Sequence, residues 1–360
     1  VPEDGYRGEY MVELARELKN QEGNKFLSKP EHEAVAEIGV LGVSKMLDAI
    51  RADMNGLRVD YDVWFSERSL FTDGQYDESI TALKTKGFLT KGDGATWFSS
   101  TALGEDKDNV LVRSTGVPTY FASDVAYHYD KFKKRGFDLV VDIWGADHQG
   151  HVSRLHAATE ALGVEPESLT ILISQIVTFK RRDEVVRLSK RSGELITLRE
   201  LVDEVGADAC RFMFLSRSSD AQLEFDMELA KKQSADNPVY YVQYAHARIA
   251  SILSLARENN ISYKDGDTSL LNHHAEMNLI RKITELPELV AYMTNKLEPH
   301  HLTTYAMNLA QHFTQFYGSC RVIDEEQPEL TEARLKLTIA AGKVIARTLK
   351  LMGLNTPERM

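Results

Sequence analysis

Three cations, Arg187, Lys190 and Arg191, fall within five residues of the stretch VVRLSKRSGELITL at 185–198, accompanied by Ser189 and Gly193. Cations at this density on a short segment between apolar flanks suit a polyanion such as a triphosphate. Gly193 leaves the backbone free to move over it. A solvated hairpin turn draws on the same residue types, so this stretch by itself leaves both readings open.

A second candidate is GADHQGH at 145–151, where Asp147, His148 and His151 follow an apolar run. His and Asp ligate zinc, but a full set of ligands is not at hand and no matching His or Cys pair stands nearby, so no metal is expected. Recognition of a substrate through imidazole and carboxylate is the second reading, and capping of the next helix is the third. In TYFASDVAYHYDK, Tyr120 and Asp124 are four apart and share a face if the segment is helical. A carboxylate beside a phenol suits a cationic group, although a surface Asp next to a packed Tyr reads the same.

Near the C-terminus, YYVQYAHAR places Tyr241, Tyr244 and Arg248 on one helical face. Rings and a guanidinium are what recognition of single-stranded RNA needs; two core tyrosines are the alternative. Lys336, Lys343, Arg347 and Lys350 recur at helical spacing, and no acidic residue occurs from Ala333 to Pro357. That pattern fits either a phosphate-binding or a merely solvated stripe.

The elements that must position these groups follow from periodicity. EYMVELARELKN and EHEAVAEIGVLGVSKMLDAI carry apolar residues at helical spacing. Short β-like runs, TWFSS and VLVRS, and the turn KGDGA lie between Tyr61 and Arg113. Phe137 to Trp144 is mostly apolar on both faces, as expected of a strand inside a parallel sheet. A helix from about Val152 to Leu162 and the run SLTILISQIVTFK complete a βαβ unit, whose ligands belong beyond the carboxyl ends of the strands. Thr197 and Glu200 form a capping-box pattern opening helical character that runs to a break near Pro238. Helix after helix follows to Met360. The expected architecture is α/β, a partial Rossmann-type parallel sheet over residues 1–234, followed by an all-α bundle over 235–360.

Composition sets the class. The 360 residues are 43% hydrophobic and 27% charged, ordinary for a soluble chain of two or three domains. No apolar run approaches the roughly 20 residues that span a bilayer, and no secretory leader is recognised. Cys210 and Cys320 stand in unrelated contexts, which excludes a disulfide framework and fits a reducing cytoplasm. Of the net charge of −11, −10 resides in residues 1–234, with 30 Lys+Arg against 40 Asp+Glu; residues 235–360 hold 13 against 14 and can carry a basic face.

Taken in order, PEDGYRGEY, DGATWFSS, DKDNVLVRSTG, YFASDVAYH, GADHQGH, LSKRSGELITL, FDMELAKKQSADNPVYYVQYAHARI and the terminal PERM resemble the class I arginyl-tRNA synthetases of bacterial type, essentially end to end. The resemblance implies ATP-dependent attachment of arginine to tRNA(Arg) through an arginyl-adenylate. RLSKR looks like that family's KMSKS loop, which implies catalytic roles for Lys190, Arg187 and Ser189, with Lys190 stabilising charge on the leaving pyrophosphate. It implies that Tyr120, Asp124 and His148 line the arginine pocket, that His151, Val177 and Thr178 join Lys190 around ATP, and that Tyr241, Tyr244, Arg248 and Met360 hold the anticodon loop. ATP with Mg²⁺ is then a substrate complex, no tightly bound metal or organic cofactor is expected, and the parent enzyme is a cytoplasmic monomer. The sequence departs from the motif at Arg187, which keeps charge with a different geometry, and at Arg191, which replaces a serine.

The family's other ATP signature, HIGH, is not found. HQGH at 148–151 matches the loose pattern but sits in the GADHQGH context, about one βαβ unit ahead of RLSKR. The expectation is a C-terminal fragment lacking an N-terminal module and the first half of the catalytic domain, inactive by itself because catalysis by positioning fails when part of the site is missing. A tRNA-binding module without catalysis and a small H-x-G-H nucleotidyltransferase are the competing readings.

Overall fold

The computed structural model describes residues 8–182, 184–186 and 196–360. They form two compact units, one from residues 61–177 with 219–223, the other from the described parts of 1–60, 178–218 and 224–360.

The chain opens with α1 (Glu9–Glu22) and α2 (Glu31–Gly56), which pack against each other. Over its 26 residues α2 has no buried side chain. The apolar periodicity therefore predicts the helix correctly, while its apolar face stays open among the described residues.

The unit around residues 61–177 starts with α3 (Glu67–Thr72) and α4 (Gln75–Thr85). The strands β1 (Leu89–Gly92), β2 (Ala95–Phe98) and β3 (Asn109–Val112) then form an antiparallel sheet. The β1–β2 turn consists of Asp93 and Gly94, with φ of 50° and 74°. Positive φ at both positions is what a tight hairpin with the strands' natural twist requires. Next come α5 (Tyr120–Tyr129), a π-helical turn Asp130–Lys134, β4 (Val140–Gly145), α6 (Val152–Ala161) and β5 (Leu169–Ser174). Strands β4 and β5 pair in parallel, Val140 opposite Leu169 through Gly145 opposite Ser174, with α6 as the crossover. Phe98, Leu111, Val125 and Ala158 close the core between the small sheet, α5 and α6.

Strand β4 departs from expectation. Val140 and Asp142 are buried, but Val141 is 37% and Ile143 72% exposed. The helices cover one face and no described element covers the other, so an apolar run that reads as doubly buried is half bare.

The run SLTILISQIVTFK divides at Gln175 and Ile176. β6 (Val177–Arg181) pairs antiparallel with β7 (Glu184–Val186), in a sheet of order β7-β6-β8. Helices α7 (Leu198–Val205) and α8 (Ala207–Leu215) precede β8 (Leu223–Asp226), and α9 (Met227–Lys231) follows it. The helical character expected up to Pro238 is therefore interrupted. In LEFD, Leu223 and Phe225 point inward on a period of two, which suits a strand rather than a helix. Thr197 and Glu200 do form the capping box at α7.

The rest is helical: α10 (Pro238–Glu258), α11 (His274–Thr284), α12 (Leu286–Lys296), α13 (His301–Ser319) and α14 (Pro328–Leu351). Buried Asn237 caps α10, accepting from the Val239 amide at 3.2 Å while donating to the Ala230 and Lys232 carbonyls. Gly342 lets α14 cross α10 closely, since a Cβ there would lie 2.8 Å from Ile249 Cγ2. Glu276 is buried and accepts from the Arg334 Nε at 2.7 Å, tying α11 to α14.

Candidate functional site

The threonine before α5 fixes the first site. Thr119 donates its hydroxyl to the Val110 carbonyl at 2.9 Å and accepts from the Ala122 amide, so the helix starts where β3 ends. Tyr120, its first residue, is 83% exposed, and Asp124 sits one turn later on the same side. Both line a cavity of about 280 Å³ with Phe65, Glu67, Leu70, Ser123 and Tyr127. Phe65 and Tyr127 stack with centroids 4.5 Å apart and planes at 23°. Two carboxylates, aromatic walls and no cation in the lining suit a planar cation. A carboxylate accepts parallel N–H bonds from a guanidinium, and rings attract it through their faces.

Burial pushes the Asp124 carboxyl above its ordinary range; Glu67 and Asp142 add to that, while His128 and Arg154 oppose it. An incoming cation replaces the hydration that burial removed.

His148 and His151 stand on the 3₁₀ turn Ala146–His151 that follows β4. His148 is exposed, 3.6 Å from Asp147, with its ring edge-on to both Trp144 and His151. It does not line the Asp124 cavity. The His151 imidazole is held below its usual value by burial, then by Arg154 and His148, against Asp147. A neutral, half-buried ring can stack and accept a hydrogen bond. Val177 and Thr178 are half-buried at the start of β6. Arg187, Ser189 and Lys190 lie outside the described residues.

On α10, Tyr244 is 40% exposed and Arg248 donates to its hydroxyl. The guanidinium lies 5.3 Å from the Tyr244 ring and 5.5 Å from that of Tyr317 on α13. Tyr240 stacks on Tyr244 at 15°, and Tyr241 donates to the Thr314 hydroxyl at 3.3 Å. This is a surface cluster of rings and one guanidinium. Tyr241 is half-buried against α13; Met360 is exposed. The cationic stripe of α14 lies elsewhere: Lys343 borders a cavity of about 350 Å³ with His246, Arg257 and Tyr263. At 100° per residue, His246 and Arg257 face away from Tyr244 and Arg248, so the stripe and the aromatic cluster occupy different sides of α10.

Among the described residues, the group assembled closely enough to hold a metal ion is Glu298, His300 and His301. It sits at the start of α13, where the helix dipole disfavours a cation. Asp147, His148 and His151 do not form such a group.

Comparison with known proteins decides the family. Residues 15–250 match the catalytic domain of class I tRNA synthetases (R), and residues 242–360 match the DALR anticodon binding domain. The chain belongs to the arginyl-tRNA synthetase family. It is 58% identical, over all 360 residues, to an arginine–tRNA ligase of Dehalococcoides mccartyi, and spans 65% of that relative's length. A Campylobacter jejuni crystal structure described as an arginyl-tRNA synthetase superposes with a TM-score of 0.90 at 31% identity, covering 100% of this chain and 77% of the other. An arginyl-tRNA synthetase from Thermus thermophilus shares the fold, with a TM-score of 0.76 at 19% identity over 97% of this chain and 69% of that one.

Within this arginyl-tRNA synthetase fold, sequence reasoning missed several residues. Phe65, Glu67 and Tyr127 line the Asp124 cavity, and Tyr317 completes the aromatic cluster. Tyr127 lay three residues beyond Asp124 and could have been found by extending the helical face. Phe65 and Glu67 come from a distant loop and helix, and no local spacing points to them.

Proposed function

We propose that this chain is the arginine-recognising and anticodon-binding part of an arginine–tRNA ligase, which joins arginine to tRNA(Arg) at the expense of ATP, supplied with Mg²⁺ as a substrate complex. The observation that carries the reading is the cavity at Asp124, a half-buried carboxylate at the centre of an aromatic, cation-free lining. In it Asp124 pairs with the guanidinium of arginine and Tyr120 and Tyr127 flank the side chain; outside that lining, His148 contacts the substrate from the strand end. His151, Val177 and Thr178 contact the adenosine, and Lys190 with Arg187 and Ser189 stabilises the phosphates as pyrophosphate leaves. Residues 1–234 constitute the catalytic part and 235–360 the anticodon-binding part. There Tyr244 and Arg248 stack on and pair with unstacked bases, with Tyr241 and Met360 beside them.

The 360-residue chain by itself neither activates arginine nor charges tRNA, because it contains no HIGH sequence to complete the phosphate site. ATP–pyrophosphate exchange with arginine and tRNA(Arg) tests this: no exchange above background is expected, and turnover near the rate of a complete arginine–tRNA ligase overturns it. The Tyr244–Arg248–Tyr317 cluster favours one further reading, that the chain's own activity is tRNA binding. A filter-binding assay should show tRNA(Arg) retained in preference to an unrelated tRNA.

A further inference from the structure

Asp142 is a charged residue in the middle of an otherwise apolar strand, 9% exposed. Burying a carboxylate costs free energy unless it is paired and hydrogen-bonded. Both its oxygens are met from α5 and the turn after it: His128 Nε2 lies 2.6 Å from Oδ2, and Lys131 Nζ donates to Oδ1 at 2.6 Å. Burial pushes the Asp142 carboxyl up, but the bonds and charges of His128 and Lys131 outweigh it and hold the group below its usual range.

These two partners also reach the guanidinium pocket. His128 Nδ1 lies 2.7 Å from the carbonyl oxygen of Asp124. A carbonyl only accepts, so Nδ1 is the donor there, and Nε2 faces the Asp142 carboxylate from the other side of the ring. Lys131 Nζ sits 4.2 Å from the centroid of Tyr127, the ring that stacks on Phe65 in the pocket wall. The helix widens into its π turn just after Tyr129, and such turns re-aim side chains at functional sites.

We propose that His128, Asp142 and Lys131 form a positioning device for the pocket, holding Asp124 through its carbonyl and Tyr127 through its ring, and thereby setting the preference for a guanidinium over a neutral urea of the same shape. The device ties the pocket to β4, whose end carries His148 and His151. It rests on the reading of the Asp124 cavity as the arginine site.

The test is calorimetric titration of the 360-residue chain with L-arginine and with L-citrulline, which replaces the guanidinium with a urea. The wild-type chain should prefer arginine roughly 10-fold or more, the worth of a charge-assisted pair. His128→Gln can still donate to Asp142 but cannot hold the Asp124 carbonyl at the same time. It should lower the preference by about 10-fold, within the hundredfold that a 1 Å misplacement costs. Lys131→Met frees Tyr127 while leaving the His128–Asp142 pair, and should lower it less. A merely structural role would depress the melting temperature and weaken both ligands alike, leaving their ratio untouched. If either variant folds and keeps the wild-type ratio, the device does not position the pocket. If His128→Gln fails to fold, Lys131→Met decides. If the wild-type chain itself shows no preference for arginine, the reading of the cavity falls, and the inference with it.

Discussion

Asp124 and Asp142 are carboxylates of one unit, buried to different ends. Asp124 has its pKa raised, mainly by burial, so its ionised form is the one that folding disfavours. Guanidinium binding needs that ionised form. Arginine affinity is therefore expected to fall as pH drops through a value above the ordinary carboxylate range, and calorimetry across that window would detect it. Asp124→Asn should abolish the arginine preference and its pH dependence together, while leaving the melting temperature at neutral pH unchanged or raised, because it removes a charge whose burial His128 and Arg154 offset only in part. Asp142 has the opposite sign: its pKa is lowered by His128 and Lys131 against burial. Its stabilisation is present above the usual carboxylate range and is lost as pH falls through its lowered folded-state pKa. Denaturant midpoints of the wild type and Asp142→Asn should therefore differ most near neutrality and converge in acid. A gap that widens in acid would contradict the assignment. Neither carboxylate's environment was legible in the sequence. Asp124 could be singled out by its spacing from Tyr120, but Asp142 reads as an isolated acid in a strand until His128 and Lys131 are placed beside it.

At the level of elements, legibility followed periodicity. Helices α1, α2, α10, α13 and α14 repeat apolar residues often enough for their spacing to be read, and α7 declares its start through Thr197 and Glu200; α5 was helical only as a supposition, and the one run read across MNLIRKITELPELVAYMT divides into α11 and α12. Strand β8 is four residues long inside a helical neighbourhood, too short for its alternation to stand out. The division of SLTILISQIVTFK at Gln175 was equally hidden, because an apolar run does not state which partner each half will pair with. Spacing along one helix also could not reveal that the α14 stripe and the Tyr244–Arg248 cluster face different ways, since that depends on how α14 crosses α10 at Gly342. The separation yields a prediction. If unstacked bases sit at the aromatic cluster, Arg248→Ala weakens binding of tRNA(Arg) and erodes its preference over an unrelated tRNA with little change in salt slope, the signature of a lost base contact. Lys343→Ala, on the other side of α10, should change binding less. Filter binding of both variants at several salt concentrations distinguishes them, and equal losses would place RNA along the stripe instead.

The whole molecule is marked by apolar surface that its own described residues leave open. The groove between α1 and α2, about 510 Å³, is lined by Met11, Leu14, Leu18, Ile38, Val43 and Met46 among others. Val43 is 61% exposed on a helix that buries none of its side chains. Long helices in water owe most of their stability to packing of the apolar face, and open apolar patches of this kind mark surfaces that meet something else. The arginine–tRNA ligase relatives are longer, this chain spanning 65% of the Dehalococcoides protein. The physical consequence can be measured without knowing what meets the groove. The native chain at neutral pH should enhance the fluorescence of anilinonaphthalene sulfonate, a behaviour otherwise expected of loosely packed states, while keeping a single cooperative melting transition. Val43→Glu together with Met46→Glu should remove much of that signal with little change in melting temperature, because neither side chain is buried. A drop in melting temperature on that double substitution would mean that the α1–α2 face is packed in solution, and no dye enhancement by the wild-type chain would mean that it is covered.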